Sequence, residues 1–165
     1  LIRPILQYSE SKDILTSKSL DISFDSLPYD FDGLLHDMLE TVKGDITAGR
    51  TCWALSAIQI NEPLRLTCMR YGTEYIFLVN PKILRTYGEK AMSVEGCMSI
   101  LNGTSDYHVK RYNIIRVNAR IVELVGNNVT SRPFTSKEHG IYAAVIQHEI
   151  DHMDGITLFE RMKMD

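Results

Sequence analysis

One early stretch alternates apolar and polar residues at helical spacing. "YDFDGLLHDMLETVK", residues 29–43, sets Leu34, Leu35, Met38, Leu39 and Val42 on one face and predicts a helix that stops at Gly44. Beyond it the period shortens. "LRLTCMRYGTEYIFLVNP", 64–81, reads as two strands around Tyr71-Gly72-Thr73, closed by Asn80-Pro81. "YNIIRVNARIVEL", 112–124, predicts a longer strand, followed by a turn at Gly126-Asn127-Asn128 and a return strand in "VTSRPFT". Ser136 stands where it could cap a helix from about 137 to 153, with Glu138 in the first turn and Gly155 just past the end. Strands in the middle and one helix near each end predict an α+β fold. Mixed or antiparallel sheets should pack around the C-terminal helix, with one N-terminal helix.

Composition narrows the class. With 165 residues, 44% hydrophobic and 24% charged, the chain reads as one domain over 1–165 with a single core, and no repeat or linker divides it. A net charge of −3 and the absence of a Lys/Arg run argue against direct nucleic-acid binding. The longest apolar run, "IYAAVI" at 141–146, is too short for a membrane span, and "LIRPILQYSESKD" lacks a signal peptide's apolar stretch. Cys52, Cys68 and Cys97 are odd in number and irregular in spacing, which suits a reducing compartment and makes the cytoplasm the expected location.

The chemistry concentrates in "QHEIDHMDG", 147–155. On a helix, His148 and His152 lie four residues apart on one face and can converge on one ion. Ile141, Ala144 and Val145 run into them on the same stripe, so this face is expected to point inward, where neutral imidazoles need a partner. The alternative is two histidines on a polar helix face. Glu149 sits about 100° around the helix, within reach of a water on the ion without being a ligand. Two histidines leave a catalytic ion one protein ligand short. Downstream, Glu160 is a cramped candidate. Upstream, Cys97 in "VEGCMS" offers a thiolate beside Gly96, which lets backbone approach closely. Taken alone, Cys97 also reads as an inert core cysteine, as do Cys68 in an apolar strand and Cys52 beside Trp53.

Together these residues resemble the peptide deformylase family. Its three motifs are Gly-x-Gly-x-Ala-Ala-x-Gln, Glu-Gly-Cys-x-Ser and Gln-His-Glu-x-Asp-His. The second is met in full by Glu95-Gly96-Cys97-Met98-Ser99, and the third by Gln147-His148-Glu149-Ile150-Asp151-His152. The first is degenerate. "CWALSAIQ", 52–59, keeps Leu55, Ala57 and Gln59 but has Cys52 and Ala54 for the glycines and Ser56 for the first alanine, which could reshape or narrow the cleft. The short segment after Gly155 resembles the compact forms encoded by bacteriophages.

The resemblance implies removal of the N-formyl group from the N-terminal methionine of new polypeptides, in a bacterial or phage-infected cytoplasm near the ribosome exit, by a monomer. It implies one divalent metal per chain, Fe²⁺ with Zn²⁺ or Ni²⁺ as substitutes, held by Cys97, His148 and His152. A water would take the fourth position, its pKa lowered toward neutrality. Glu149 would be the base, and the Gln59 amide and Met98 backbone N–H would stabilise the oxyanion. Trp53, Ala54, Leu55, Glu95, Gly96, Ile141, Ala144 and Val145 would border the substrate, and Arg111 would pair with Glu95. By itself Gln59 reads as an exposed polar residue before a turn. Two other readings stay open: a zincin-type endopeptidase using His148, His152 and Glu160, and a deformylase-like peptide-binding module without activity.

Overall fold

The computed structural model describes residues 1–47, 53–101, 106–126 and 128–165, with backbone alone for 45–47. Two helices, α1 (Tyr8–Leu15) and α2 (Phe31–Thr47), precede the strands β1 (Ala54–Ser56), β2 (Leu66–Tyr71), β3 (Glu74–Glu95), β4 (Tyr107–Val125) and β5 (Asn128–His139). A 3-10 turn, Ala57–Ile60, follows β1, and α3 (Gly140–Met153) and α4 (Leu158–Met164) close the chain. The strands form one antiparallel sheet in sequence order, so among the described residues a single curled sheet stands where several were expected, and four helices where two were.

The sheet is covered on both faces, as the pleat requires. Side chains alternate along a strand. Leu66, Cys68, Phe77, Val79 and Val122 therefore turn one way and pack with Leu35, Met38 and Val42 of α2. Met69, Leu78, Ile115, Val117 and Ile121 turn the other way and pack with Ala143, Ile146 and Ile150 of α3. Burial of such side chains stabilises the fold by roughly 1.5–3 kcal/mol apiece.

Four sequence expectations are corrected. Gly44 does not stop α2, which runs on to Thr47. A Cβ at Gly44 would lie 2.8 Å from Cδ1 of Ile2, so the glycine serves the close passage of the N-terminal segment. Asn80-Pro81 does not end a strand either. β3 passes through it at a register shift, with Asn80 at φ 51. The Asn80 amide is bonded in both directions to Ile22 of the N-terminal segment, accepting from N at 2.9 Å and donating to O at 2.8 Å. Proline is tolerated there because the ladder is already broken. Further shifts at Ile83/Arg85 and Tyr87/Lys90 curl the strand.

At the other end, β5 continues past Ser136 to His139. Helix α3 begins only at Gly140, whose φ of +57 makes the turn, and Glu138 faces inward from the strand, where it accepts from the Tyr71 hydroxyl. Finally, the Ile141/Ala144/Val145 stripe does not face the core. Ile141 is 49% exposed and Ala144 and Val145 are half-buried, whereas Ala143, Ile146 and Ile150 fill the core. The stripe opens onto a cleft. Among the described residues no helix is long and apolar enough to cross a membrane.

Candidate metal centre and active-site cleft

The cleft has a volume of about 880 Å³. One wall is the end of β3 with the following loop, including Met92, Val94, Glu95, Gly96, Cys97 and Met98. The opposite wall is α3, with Ile141, Ala144, Val145, His148 and Glu149, and Trp53, Ala54 and Gln59 complete it. Cys97 and His148 on its floor and the buried His152 just beneath each present a ligand atom, all within 4.8 Å of one another. Cys97 Sγ lies 3.4 Å from Nε2 of His152. Helix pitch brings the two histidines together, and the turn after β3 delivers the thiol from 51 residues upstream of His148 in the sequence.

The donor set fits a divalent transition metal: one soft thiol and two imidazoles, with His148 already oriented. Nδ1 of His148 stands 2.9 Å from Oε1 of Glu95, which assigns its proton to that nitrogen and turns Nε2 to the cluster. In the metal-free chain, burial pulls the His148 pKa down, but hydrogen bonds to Cys97 and Glu95 outweigh it and raise it to about 10. Burial holds His152 well below its usual value, so its ring is neutral and its lone pair available.

Behind the ligands lies a buried ionic network. Glu95 accepts from Arg111 Nε at 3.1 Å and Nη2 at 3.0 Å, the pairing expected from sequence, and from Ser93 Oγ at 2.6 Å. Burial raises the Glu95 pKa, yet the bonds from His148 and Arg111 win and drive it far below the carboxylate range. Arg111 also donates to Asp151 at 2.5 Å, and Asp151 in turn takes two bonds from Arg161 of α4, at 3.0 and 2.7 Å.

Gln59 is 1% exposed, contrary to its reading as a surface residue, because the 3-10 turn carries it inward. The Ser56 backbone N–H donates to its Oε1 at 2.9 Å. That fixes the amide so that Nε2 points to Ser99 Oγ at 3.1 Å and Cys97 Sγ at 3.7 Å. Glu149 is 4% exposed, and burial raises its pKa, favouring a group that can hold a proton.

Not every expected residue lines the cleft. The Leu55 side chain is fully buried in the core against α2, and Cys68 belongs to the same cluster. Cys52 lies outside the described residues. Glu160, the zincin-type ligand, instead accepts from Tyr8 Oη at 2.7 Å and from the Thr157 backbone N–H at 3.0 Å, which starts α4. Ser56 does not narrow the cleft but turns away to Glu149. Sequence reasoning missed Ser56, Ser99, Asp151 and Arg161 as parts of the site. Ser99 and Asp151 lie within the two complete motifs, where roles had been given to Glu95, Gly96, Cys97, Met98, His148, Glu149 and His152 but not to them.

A thiol, two imidazoles and a buried carboxylate in one peptide-sized cleft define a metallohydrolase. A sequence model of the polypeptide deformylase family matches residues 2–165. A peptide deformylase of Caulobacter vibrioides is 28% identical over 98% of this chain and 88% of its own length. That of Hyphomonas neptunium is 36% identical over 82% and 74%. Among solved structures, a peptide deformylase from Synechococcus elongatus in complex with actinonin superposes with a TM-score of 0.77 at 26% identity, covering 98% of this chain and 80% of that one. One from Legionella pneumophila gives 0.74 at 27%, covering 99% and 90%. The chain belongs to the peptide deformylase family.

Proposed function

We propose that this enzyme hydrolyses the formamide of N-formylmethionyl polypeptides, with Cys97, His148 and His152 as metal ligands and Glu149 as general base and acid. A divalent cation bound there would polarise the formyl carbonyl and lower the pKa of a water toward neutrality. Glu149 takes a proton from that water as oxygen adds to the formyl carbon. The negative charge that builds on the carbonyl oxygen is met by Nε2 of Gln59 and the Met98 backbone N–H; losing one such donor typically costs about 3 kcal/mol. The C–N bond then breaks, Glu149 passes its proton to the leaving nitrogen, and formate and a free amine result.

The substrate methionine packs against Ile141, Ala144 and Val145. Trp53 and Ala54, just before and at the start of the short edge strand β1, border the following backbone, which can add as an extra strand. Fe²⁺ is the proposed native ion, with Zn²⁺ or Ni²⁺ as substitutes. Nascent chains near the ribosome exit are the proposed partners of a cytoplasmic monomer.

The observation that carries this reading is the placement of the buried Glu149 beside the Cys97/His148/His152 cluster in one cleft. The test is release of formate from a formyl-methionyl peptide by protein loaded with Fe²⁺, Ni²⁺ or Zn²⁺. Turnover that chelation abolishes and metal restores is expected. No formate release with any of the three ions would overturn the reading.

A further inference from the structure

Ser56 stands where the first family motif carries alanine, and its side chain enters the catalytic apparatus. It is fully buried at the end of β1 and excluded from the cleft surface. Its Oγ donates to Oε2 of Glu149 at 2.5 Å; the Glu149 backbone oxygen, at 3.4 Å, is too distant to compete for that proton. The contact joins two elements 93 residues apart, the end of β1 and the turn of α3 between the two histidines. The same residue's backbone N–H holds Oε1 of Gln59 at 2.9 Å. Ser56 thus touches the proposed base with its side chain and the proposed oxyanion donor with its main chain.

We propose that Ser56 is a positioning residue for deformylation, its hydroxyl fixing the rotation of the Glu149 carboxylate. This rests on the function proposed above. A carboxylate on a three-bond side chain has several rotamers, and its terminal torsion is broad. A charge-assisted bond to one oxygen selects a single orientation and commits that oxygen. The other oxygen is left for the water's proton and its delivery to the leaving nitrogen. Alanine at this position would leave that orientation to packing and to the weaker hydrogen bond from Thr67. Because Ser56→Ala retains the backbone N–H, the Gln59 anchor persists and only the Glu149 contact is lost. The variant restores the residue of the family motif, so the fold accommodates it.

The experiment compares wild type, Ser56→Ala, Ser56→Thr, Glu149→Ala and the Ser56→Ala/Glu149→Ala double variant, with metal content measured for each. Ser56→Ala is expected to lower kcat about tenfold, one charge-assisted hydrogen bond's worth, with KM and metal content unchanged. Ser56→Thr, which keeps the hydroxyl, should recover most of it. In the Glu149→Ala background, Ser56→Ala should cost nothing further, because its only target is gone. A second readout needs no turnover. Infrared spectra of metal-free protein with ¹³C-labelled glutamate carboxylates should show one band moved by Ser56→Ala, and no such move in the Glu149→Ala background. Wild-type kcat in Ser56→Ala, a loss confined to KM, or an equal loss in both backgrounds would overturn the assignment. Failure of the wild type itself to release formate would instead strike the proposed function.

Discussion

Oε1 of Glu95 lies 2.9 Å from Nδ1 of His148, so the carboxylate that ends β3 fixes the ring orientation of a histidine on α3. A folded pKa pushed below the unfolded one contributes stability above the unfolded value, about 4.5, and loses it as pH falls through the folded value. In metal-free protein, the stability difference between wild type and Glu95→Gln should therefore be constant between about pH 5 and neutrality and shrink on acidification; it falls again in alkali as His148, whose raised pKa Glu95 supports, loses its proton. Urea unfolding from pH 7 to 3 measures it. A difference independent of pH would show that Glu95 is not held ionised by His148 and Arg111.

Arg111 is 5% exposed and serves two carboxylates, Glu95 and Asp151. Its removal leaves both facing a site with less positive charge. Arg111→Ala should destabilise metal-free protein by about 3 kcal/mol, the usual scale for breaking a buried ionic pair. Metal affinity should fall roughly tenfold or more, because the support of His148 is weakened. Urea melts and competitive chelation report the two effects separately.

Cys97→Ala should lose most bound metal, whereas Cys68→Ala, in the core beneath α2, should keep it. Elemental analysis after gel filtration is the measurement. Full occupancy in Cys97→Ala would remove the thiol from the ligand set.

Glu149→Ala should retain metal and lose at least ~10²-fold in kcat, the scale of general acid–base catalysis. Its position off the His148–His152 axis explains the separation of the two properties. Near-normal turnover would exclude Glu149 from proton transfer.

Ala144 is the small residue on the cleft wall between Ile141 and His148. Ala144→Phe should weaken use of a formyl-methionyl peptide while sparing a formyl-glycyl one, since methionine burial is worth roughly 2 kcal/mol. The comparison is kcat/KM for both peptides with both proteins. Equal losses in a folded, metal-loaded variant would remove Ala144 from the methionine site.

What the sequence disclosed was the part governed by local periodicity. His148 and His152 were legible because four-residue spacing on a helix is a geometric statement. α2 was legible from Leu34, Leu35, Met38 and Val42. The errors lie where tertiary contact overrides a local signal. Gly44 reads as a stop until Ile2 is seen against it, and Asn80-Pro81 reads as a strand end until the Asn80 amide is found bonded to Ile22. Ser136 looks like a helix cap, but pairing of β5 with β4 carries the strand three residues further. Cys97 was a candidate ligand by its chemistry, but only the family resemblance chose it over Glu160 and an inert core thiol, because no local pattern encodes a contact across 51 residues. The Ser56–Glu149 and Asp151–Arg161 bonds left no mark at all. Serine in a strand and arginine on a short helix are ordinary in composition.

The two loops that carry Gln59 and Met98 are fastened by one short piece of chain. Leu6 N–H donates to the Gln59 carbonyl at 2.7 Å, the Gln7 side chain to the Met98 carbonyl at 2.8 Å, and Tyr8 N–H to the Ser99 carbonyl at 2.8 Å. None of these three residues takes part in the proposed reaction, yet together they act as a clasp. Two of its three bonds end on the buried residues Gln59 and Ser99, yet a segment held by so few bonds can open at a free energy below that of unfolding the sheet. Heat would then silence the molecule while its sheet still stands, and the lost activity would return on cooling.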